Sequence, residues 1–197
     1  MKSDFVELAI FEKIFPYLTP DNRRAVSLAL ETGLRIGDVV ALKRRDLNKK
    51  TGVLKYKAQK TGKKGELRLS WEIVEQLCRN SGKIYLFEGK NENRHRTRQA
   101  VWCDVKKACK KAGVYGVNVT PHSCRKNFAV NDLRKTGDMQ KVQADLQHTN
   151  IFLTQYYAHS DRQKAEGFSP SALEELLRKV IREELPRILK DFADKKF

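Results

Sequence analysis

Nothing in the 197-residue chain is arranged to cross a bilayer as a helix, because no apolar run approaches the ~18 residues a span needs. The N-terminus, MKSDFVELAI, puts acids at Asp4 and Glu7 and lacks the charged-then-apolar layout of a secretory signal. Cysteine is sparse. Cys78, Cys103, Cys109 and Cys124 form no CxxC pair and have no histidine at zinc-finger spacing, so a disulfide scaffold and a zinc finger are both excluded. Four reduced, buried thiols in a cytosolic protein are the expectation. No internal repeat, no low-complexity linker and no GxxxxGK[ST] loop is present, and no carboxylate cluster suits two-metal catalysis.

Acidic residues are also in short supply. Forty Lys and Arg stand against 24 Asp and Glu, a formal charge of +16. Self-repulsion of this size opposes a compact state, and a polyanionic partner is its usual justification. DNA, RNA and an anionic membrane surface are the candidates. With 40% hydrophobic and 32% charged residues, the composition suits one globular core rather than a disordered chain.

The patterning is mostly helical. Apolar residues recur from Phe5 to Phe15 and stop at Pro16, which predicts a helix over 5–15. Asp21 is positioned to cap a second helix that Gly33 closes, with Arg35 following at once. A short third helix runs through Val39, Val40 and Leu42. Two strands, Val53 to Ala58 and Glu66 to Ser70, flank the basic QKTGKKG turn and read as a β-hairpin. Helices follow over 71–79 and 97–112, the second with Val101, Trp102, Val105 and Ala108 on its apolar side. Thr120-Pro121 starts another helix, which ends at Gly137. Shorter helices are expected over 139–146 and 152–157. After Gly167 and Pro170, Ser171 and Glu174 form a capping-box pattern ahead of an amphipathic segment kinked at Pro186. The expected fold class is mainly α with a small antiparallel β-sheet (α+β).

Four segments carry reactive side chains. In PHSCRKNFA, His122 and Arg125 are three apart in a helix's first turn, where an anion is favoured; an exposed polar face has the same spacing. In TGLRIGDVVAL, Asp38 lies three residues after Arg35. It either holds that guanidinium for bidentate phosphate binding or forms a structural ion pair with it. In LQHTNIFLTQYYAH, Tyr157 follows His148 by nine residues, and is either a phosphoryl nucleophile or a core aromatic. Lys60, at the hairpin tip, is either a proton donor reaching a groove or a solvated charge; Lys63 and Lys64 read more simply as solvated charge.

Taken together, the order Arg, hairpin Lys, HxxR, His, Tyr resembles the catalytic domain of the tyrosine recombinases, or phage integrases, over about residues 5–160. That resemblance implies strand cleavage in duplex DNA by transesterification, with no metal and no nucleotide cofactor. Arg35 and Arg125 would clamp the scissile phosphate and His148 would hydrogen-bond it. Lys60 would protonate the 5′-oxygen, His122 would exchange a proton with the nucleophile, and Tyr157 would form a 3′-phosphotyrosyl link. The remaining charge, at Lys43, Arg44, Arg45, Lys63, Lys64, Arg94, Arg96 and Arg98, would hold the DNA backbone. A type IB topoisomerase shares the constellation, and a DNA-binding regulator with little turnover is the non-enzymatic alternative.

The chain departs from the family pattern at Gln147, where glycine often precedes the histidine, and at Cys124, where an apolar residue often precedes the second arginine. Tyr156 beside Tyr157 is a second phenol, which the spacing from His148 sets aside. The expected organisation is a catalytic domain over 1–168 and a helical tail over 169–197, without the core-binding domain that usually precedes it. A cytoplasmic homo-oligomer, a tetramer on DNA, is the expected assembly; the apolar stripe of the tail either covers its own domain or joins protomers through residues 170–197.

Overall fold

A computed structural model describes residues 3–91, 93–138, 140–142, 146 and 182. The chain divides into two compact units, Met1–Tyr157 and Ala158–Phe197, and every described residue except Arg182 belongs to the first. Among the described residues no helix is long and apolar enough to cross a membrane. The elements expected over 152–157 and 169–197 lie outside the described residues, as does most of 139–146.

The first unit is α+β, as expected. Helices α1 (Leu8–Ile14), α2 (Pro20–Thr32) and α3 (Ile36–Val40) precede strands β1 (Leu47–Asn48), β2 (Val53–Lys57) and β3 (Lys64–Arg68). Helices α4 (Trp71–Arg79), α5 (Arg98–Lys111) and α6 (Pro121–Thr136) follow. The three strands form one antiparallel sheet in chain order, with Leu47 opposite Leu54 and Leu54 opposite Leu67. The two-residue β1 is too short to carry an alternation, so only the hairpin is visible in the sequence.

Helix α2 is the hub, packing against α3, α4, α5 and α6. It buries Ala25, Val26, Leu28 and Ala29, which join Phe11, Ile14, Leu54, Leu77, Phe87 and Val101 in one core. A smaller cluster of Ala129, Val130, Val142 and Leu146 packs with Phe5, Phe128 and Leu133.

Three local expectations change. Residues 3–7 are not helical, and α1 starts at Leu8. The amide of Asp4 donates to the Asn118 carbonyl (3.1 Å), Asn118 N–H donates to the Asp4 carboxylate (2.7 Å), and Asn127 Nδ2 donates to the Val6 carbonyl (3.0 Å). These contacts hold the segment extended against α6, and tertiary hydrogen bonding overrides its helical pattern.

The second change is at the start of α2, where Thr19 rather than Asp21 is the N-cap and Pro20 takes the first helical position. Asp21 instead bridges Arg24 (2.5 Å) and Arg96 (2.6 Å).

The third is Trp102, which stays 39% exposed with the Lys106 ammonium 5.8 Å from its ring centroid. The buried stripe of α5 is Val101, Val105, Ala108 and Cys109, the i, i+4, i+7, i+8 series, and position 102 lies off that line. All four cysteines are free; Cys109 and Cys124 are buried, which raises both thiols above their ordinary range, whereas Cys78 and Cys103 are only half-buried, contrary to expectation.

Asp104 joins α5 to the start of α2. Its Oδ2 accepts hydrogen bonds from Thr19 N–H (2.9 Å), Thr19 Oγ1 (2.8 Å) and Asn22 Nδ2 (2.7 Å). Partial burial pulls its pKa upward, but these bonds together with the charge of Lys107 outweigh that and leave it below 3.8. A depressed carboxylate stabilises the fold above its unfolded pKa and loses that contribution as pH falls through the folded value. Asp104→Ala should therefore cost about 1–3 kcal/mol at pH 7 in urea unfolding. The gap from the parent should close as pH falls below 3.8.

Gly33 closes α2 in the left-handed region at φ +66°, where an added Cβ would lie 2.5 Å from Phe128 Cδ1 and 3.0 Å from Leu146 Cδ2. Gly33→Ala combines backbone strain with overpacking and should cost about 2–4 kcal/mol, measured as a lower denaturation midpoint.

Candidate active site

The turn from α2 into α3 makes one wall of a cleft. Gly33 ends α2, Leu34 is buried, and Arg35 is the extended N-cap residue of α3. The opposite wall is the first turn of α6. Thr120 Oγ1 accepts from His122 N–H (3.2 Å), and Ser123 Oγ accepts from Thr120 N–H (3.2 Å). This reciprocal cap fixes the turn that carries His122 and Arg125. The hairpin turn brings Lys60, and Arg98 comes from the first position of α5.

These segments line a cleft of about 470 Å³ that includes Arg35, Asp38, Gln59, Lys60, Arg98, His122 and Arg125. Among the described residues, four permanent cations, Arg35, Lys60, Arg98 and Arg125, line it together with one carboxylate, Asp38. Side chains up to 90 positions apart in sequence thus meet at one anion-attracting hollow.

Arg125 is 4% exposed, and its position is set by backbone. Nη1 donates to the Gly33 carbonyl (2.8 Å), and Nη2 donates to the Leu146 carbonyl. One guanidinium therefore ties together the end of α2, the start of α6 and residue 146.

Asp38 behaves differently from the sequence expectation. Among the described residues no ion pair joins it to Arg35. Its Oδ1 accepts the backbone N–H of Gln59 (2.9 Å), and the Gln59 amide Nε2 donates to the Gly37 carbonyl (3.3 Å). At 6% exposure, Asp38 is a fixed post for the hairpin rather than a brace for the arginine.

His122 is solvent-exposed, yet it titrates below the ordinary histidine value. Partial desolvation in the cleft contributes most, followed by repulsion from Arg125, Lys126 and Arg35. With the residue still in contact with water, the three cations are the firmer cause. The imidazole is thus neutral at pH 7 and has one nitrogen able to accept a proton.

The other basic residues separate into two groups. Arg45, Lys63, Lys64, Arg94 and Arg98 are exposed. Arg96 instead pairs with Asp21, Arg44 donates to the Gly82 carbonyl (3.1 Å), and the Lys43 ammonium lies 5.8 Å from the Tyr85 ring centroid. These three side chains serve the fold. His148, Tyr156 and Tyr157 lie outside the described residues. Among the described residues no group of three His, Cys, Asp or Glu is arranged to hold a metal ion. The sequence reading missed Gln59 altogether, and no composition or spacing signal marks it. It assigned Arg98 only to general backbone binding; the capping Thr97, which starts α5 one residue earlier, is the signal that places it.

A mostly helical unit with a three-stranded sheet and a cationic cleft is the class of fold found in tyrosine recombinase catalytic domains. Among solved structures, that of XerA recombinase superposes with a TM-score of 0.66 at 25% identity, covering 89% of this chain and 63% of that one. The catalytic domain of bacteriophage HP1 integrase superposes with a TM-score of 0.60 at 19% identity, covering 93% of this chain and 96% of that one. The phage integrase family model matches residues 11–164, and the chain belongs to that family. Tyrosine recombinase XerA of Pyrococcus horikoshii is 36% identical over 132 residues, which is 64% of this chain and 45% of that protein. Tyrosine recombinase XerC of Roseiflexus sp. is 29% identical over 160 residues, 72% of this chain and 49% of the relative. The chain thus matches about half the length of these relatives.

The cleft makes a direct prediction. In the free protein His122 should titrate below 6.5 by NMR, and Arg35→Ala should move its midpoint upward by removing one repelling charge. An unchanged midpoint in that variant would show that Arg35 does not act on the ring. Because the folded value is depressed, protonation disfavours the folded state as pH falls below 6.5.

Proposed function

We propose that this chain is the catalytic part of a site-specific DNA recombinase that cuts and rejoins duplex DNA through a covalent tyrosine intermediate. The observation that carries the reading is the gathering of Arg35, Lys60, His122 and Arg125 in one cleft. The family's chemistry requires these residue types in this chain order. Two structural neighbours, XerH on difH DNA and λ integrase on a COC′ core site, are complexes with DNA, which supports duplex DNA as the partner.

In this reading the Tyr157 phenol attacks the scissile phosphorus. A phosphorus–oxygen bond to tyrosine forms as the bond to the 5′-oxygen breaks. The phenolic proton passes to neutral His122, and Lys60 donates a proton to the departing 5′-oxygen. Arg35 and Arg125 hold the non-bridging oxygens, with His148 as a further donor. Charge builds on those oxygens in the transition state, and each preorganised donor aimed at them contributes a few kcal/mol. Arg45, Lys63, Lys64, Arg94 and Arg98 contact flanking phosphates, so affinity falls steeply with added salt. Assembly as a homo-oligomer on DNA, a tetramer joined through residues 170–197, completes the proposal.

The test is covalent capture. The protein is incubated with a pool of nicked duplexes randomised around the nick, and SDS-resistant protein–DNA adducts are recovered and sequenced. The parent chain and Tyr156→Phe should form adducts that converge on one site. Tyr157→Phe should form none while retaining salt-sensitive duplex binding in gel shift. Adducts that persist in Tyr157→Phe would overturn the assignment of the nucleophile. Binding without any adduct in the parent would favour a DNA-binding regulator.

A further inference from the structure

The hairpin turn that carries Lys60 is closed on itself by two backbone bonds, Ala58 N–H to the Lys63 carbonyl (2.8 Å) and Gly62 N–H to the Ala58 carbonyl (2.8 Å). These bonds shape the turn but do not attach it to the arginine wall of the cleft. Lys60 is exposed, and among the described residues its ammonium has no partner. A lysine with four rotatable bonds reaches one point only when its backbone is held. The attachment is made by the residue before it.

We propose that Gln59 is a positioning residue for Lys60. It forms a two-point clasp to α3, with its backbone N–H on Asp38 Oδ1 (2.9 Å) and its side-chain Nε2 on the Gly37 carbonyl (3.3 Å). Each half rests on something fixed. Asp38 is 6% exposed and belongs to α3, which follows directly from Arg35. Gly37 has no side chain to obstruct the amide, and even an added Cβ there would lie 3.9 Å from Gln59 Oε1. The clasp therefore registers the hairpin lysine against Arg35, in a cleft where a misplacement of about an ångström weakens proton transfer strongly. It also accounts for the partner of Asp38: the carboxylate anchors the turn instead of neutralising a cleft cation.

The inference rests on the recombinase reading for what Lys60 does, but not for where Lys60 is held, and two measurements separate these. The first uses the DNA-free chain and needs no activity. In ¹⁵N relaxation, the parent order parameters at Lys60 and Thr61 should be near those of rigid backbone, ~0.85. Gln59→Ala, which removes the side-chain half of the clasp, should lower them toward ~0.6. Asp38→Ala, which removes the other half, should lower them at least as far. Unchanged values in Gln59→Ala would overturn the proposal.

The second compares single-turnover cleavage of the duplex recovered by covalent capture with that of the same duplex carrying sulfur in place of the bridging 5′-oxygen. A thiolate departs without a proton donor. Gln59→Ala should slow the oxygen substrate by roughly 3- to 10-fold, as loss of one hydrogen bond implies. It should leave the sulfur substrate at the parent rate. Equal slowing of both would show a general structural defect and overturn the positioning role. Should Lys60→Ala itself fail to distinguish oxygen from sulfur, the assignment of Lys60 as proton donor falls, and the relaxation result still decides whether the clasp holds the turn.

Discussion

The arrangement depends on one buried guanidinium. Arg125 has been taken out of water, which is costly for any charge unless its donors are matched. Part of the matching is done by main chain, at the Gly33 and Leu146 carbonyls. Carbonyl dipoles orient a guanidinium without removing its charge. The same contacts make the fold around the site interdependent. Gly33 must be left-handed and free of Cβ so that its carbonyl, Phe128 and Leu146 can all approach, and the next residues then deliver Arg35.

A similar economy of negative charge runs through the rest of the cleft. Among the described residues, four permanent cations share its lining with one carboxylate, and that carboxylate accepts a backbone N–H from Gln59. Such repulsion is unfavourable in the free protein, and the lowered His122 pKa is one sign of it. In the proposed DNA complex a phosphate would relieve it, so part of the binding energy would be stored in the unliganded site. Elsewhere on the unit the basic residues Arg24 and Arg96 share Asp21.

How much of this was legible in the sequence depends on how local each signal is. The α6 start was fully legible, because Thr120, Pro121 and the αL Gly137 act within a few residues of themselves. The hairpin was legible from two short runs about a glycine-bearing basic turn. The extended course of residues 3–7 was not, since the contacts that hold it come from Asn118 and Asn127, more than a hundred positions away. Trp102 was misplaced for a local reason: its apolar character suggests burial, but it lies off the helical line of Val101, Val105 and Ala108. The order of residue types along the chain singled out Arg35, Lys60, His122 and Arg125 as candidates, and these four line one cleft.

The partner of Asp38 is the sharpest case. Sequence spacing alone favours an ion pair with Arg35, three positions earlier, because opposite charges at that separation on a helix attract. Arg35, however, is not on the helix; it is the extended residue at its cap, at ψ 140°, so helical spacing does not apply to it. Asp38 sits inside the helix, buried, where its carboxylate accepts the backbone N–H of Gln59. A buried carboxylate takes the donor that geometry supplies, and the arginine keeps its charge for the cleft. The consequence is that the two cations nearest α3 are arranged by opposite means. Arg35 is placed by the helix boundary, and in the proposed clasp Lys60 is placed by its neighbour Gln59, whose N–H rests on the Asp38 carboxylate.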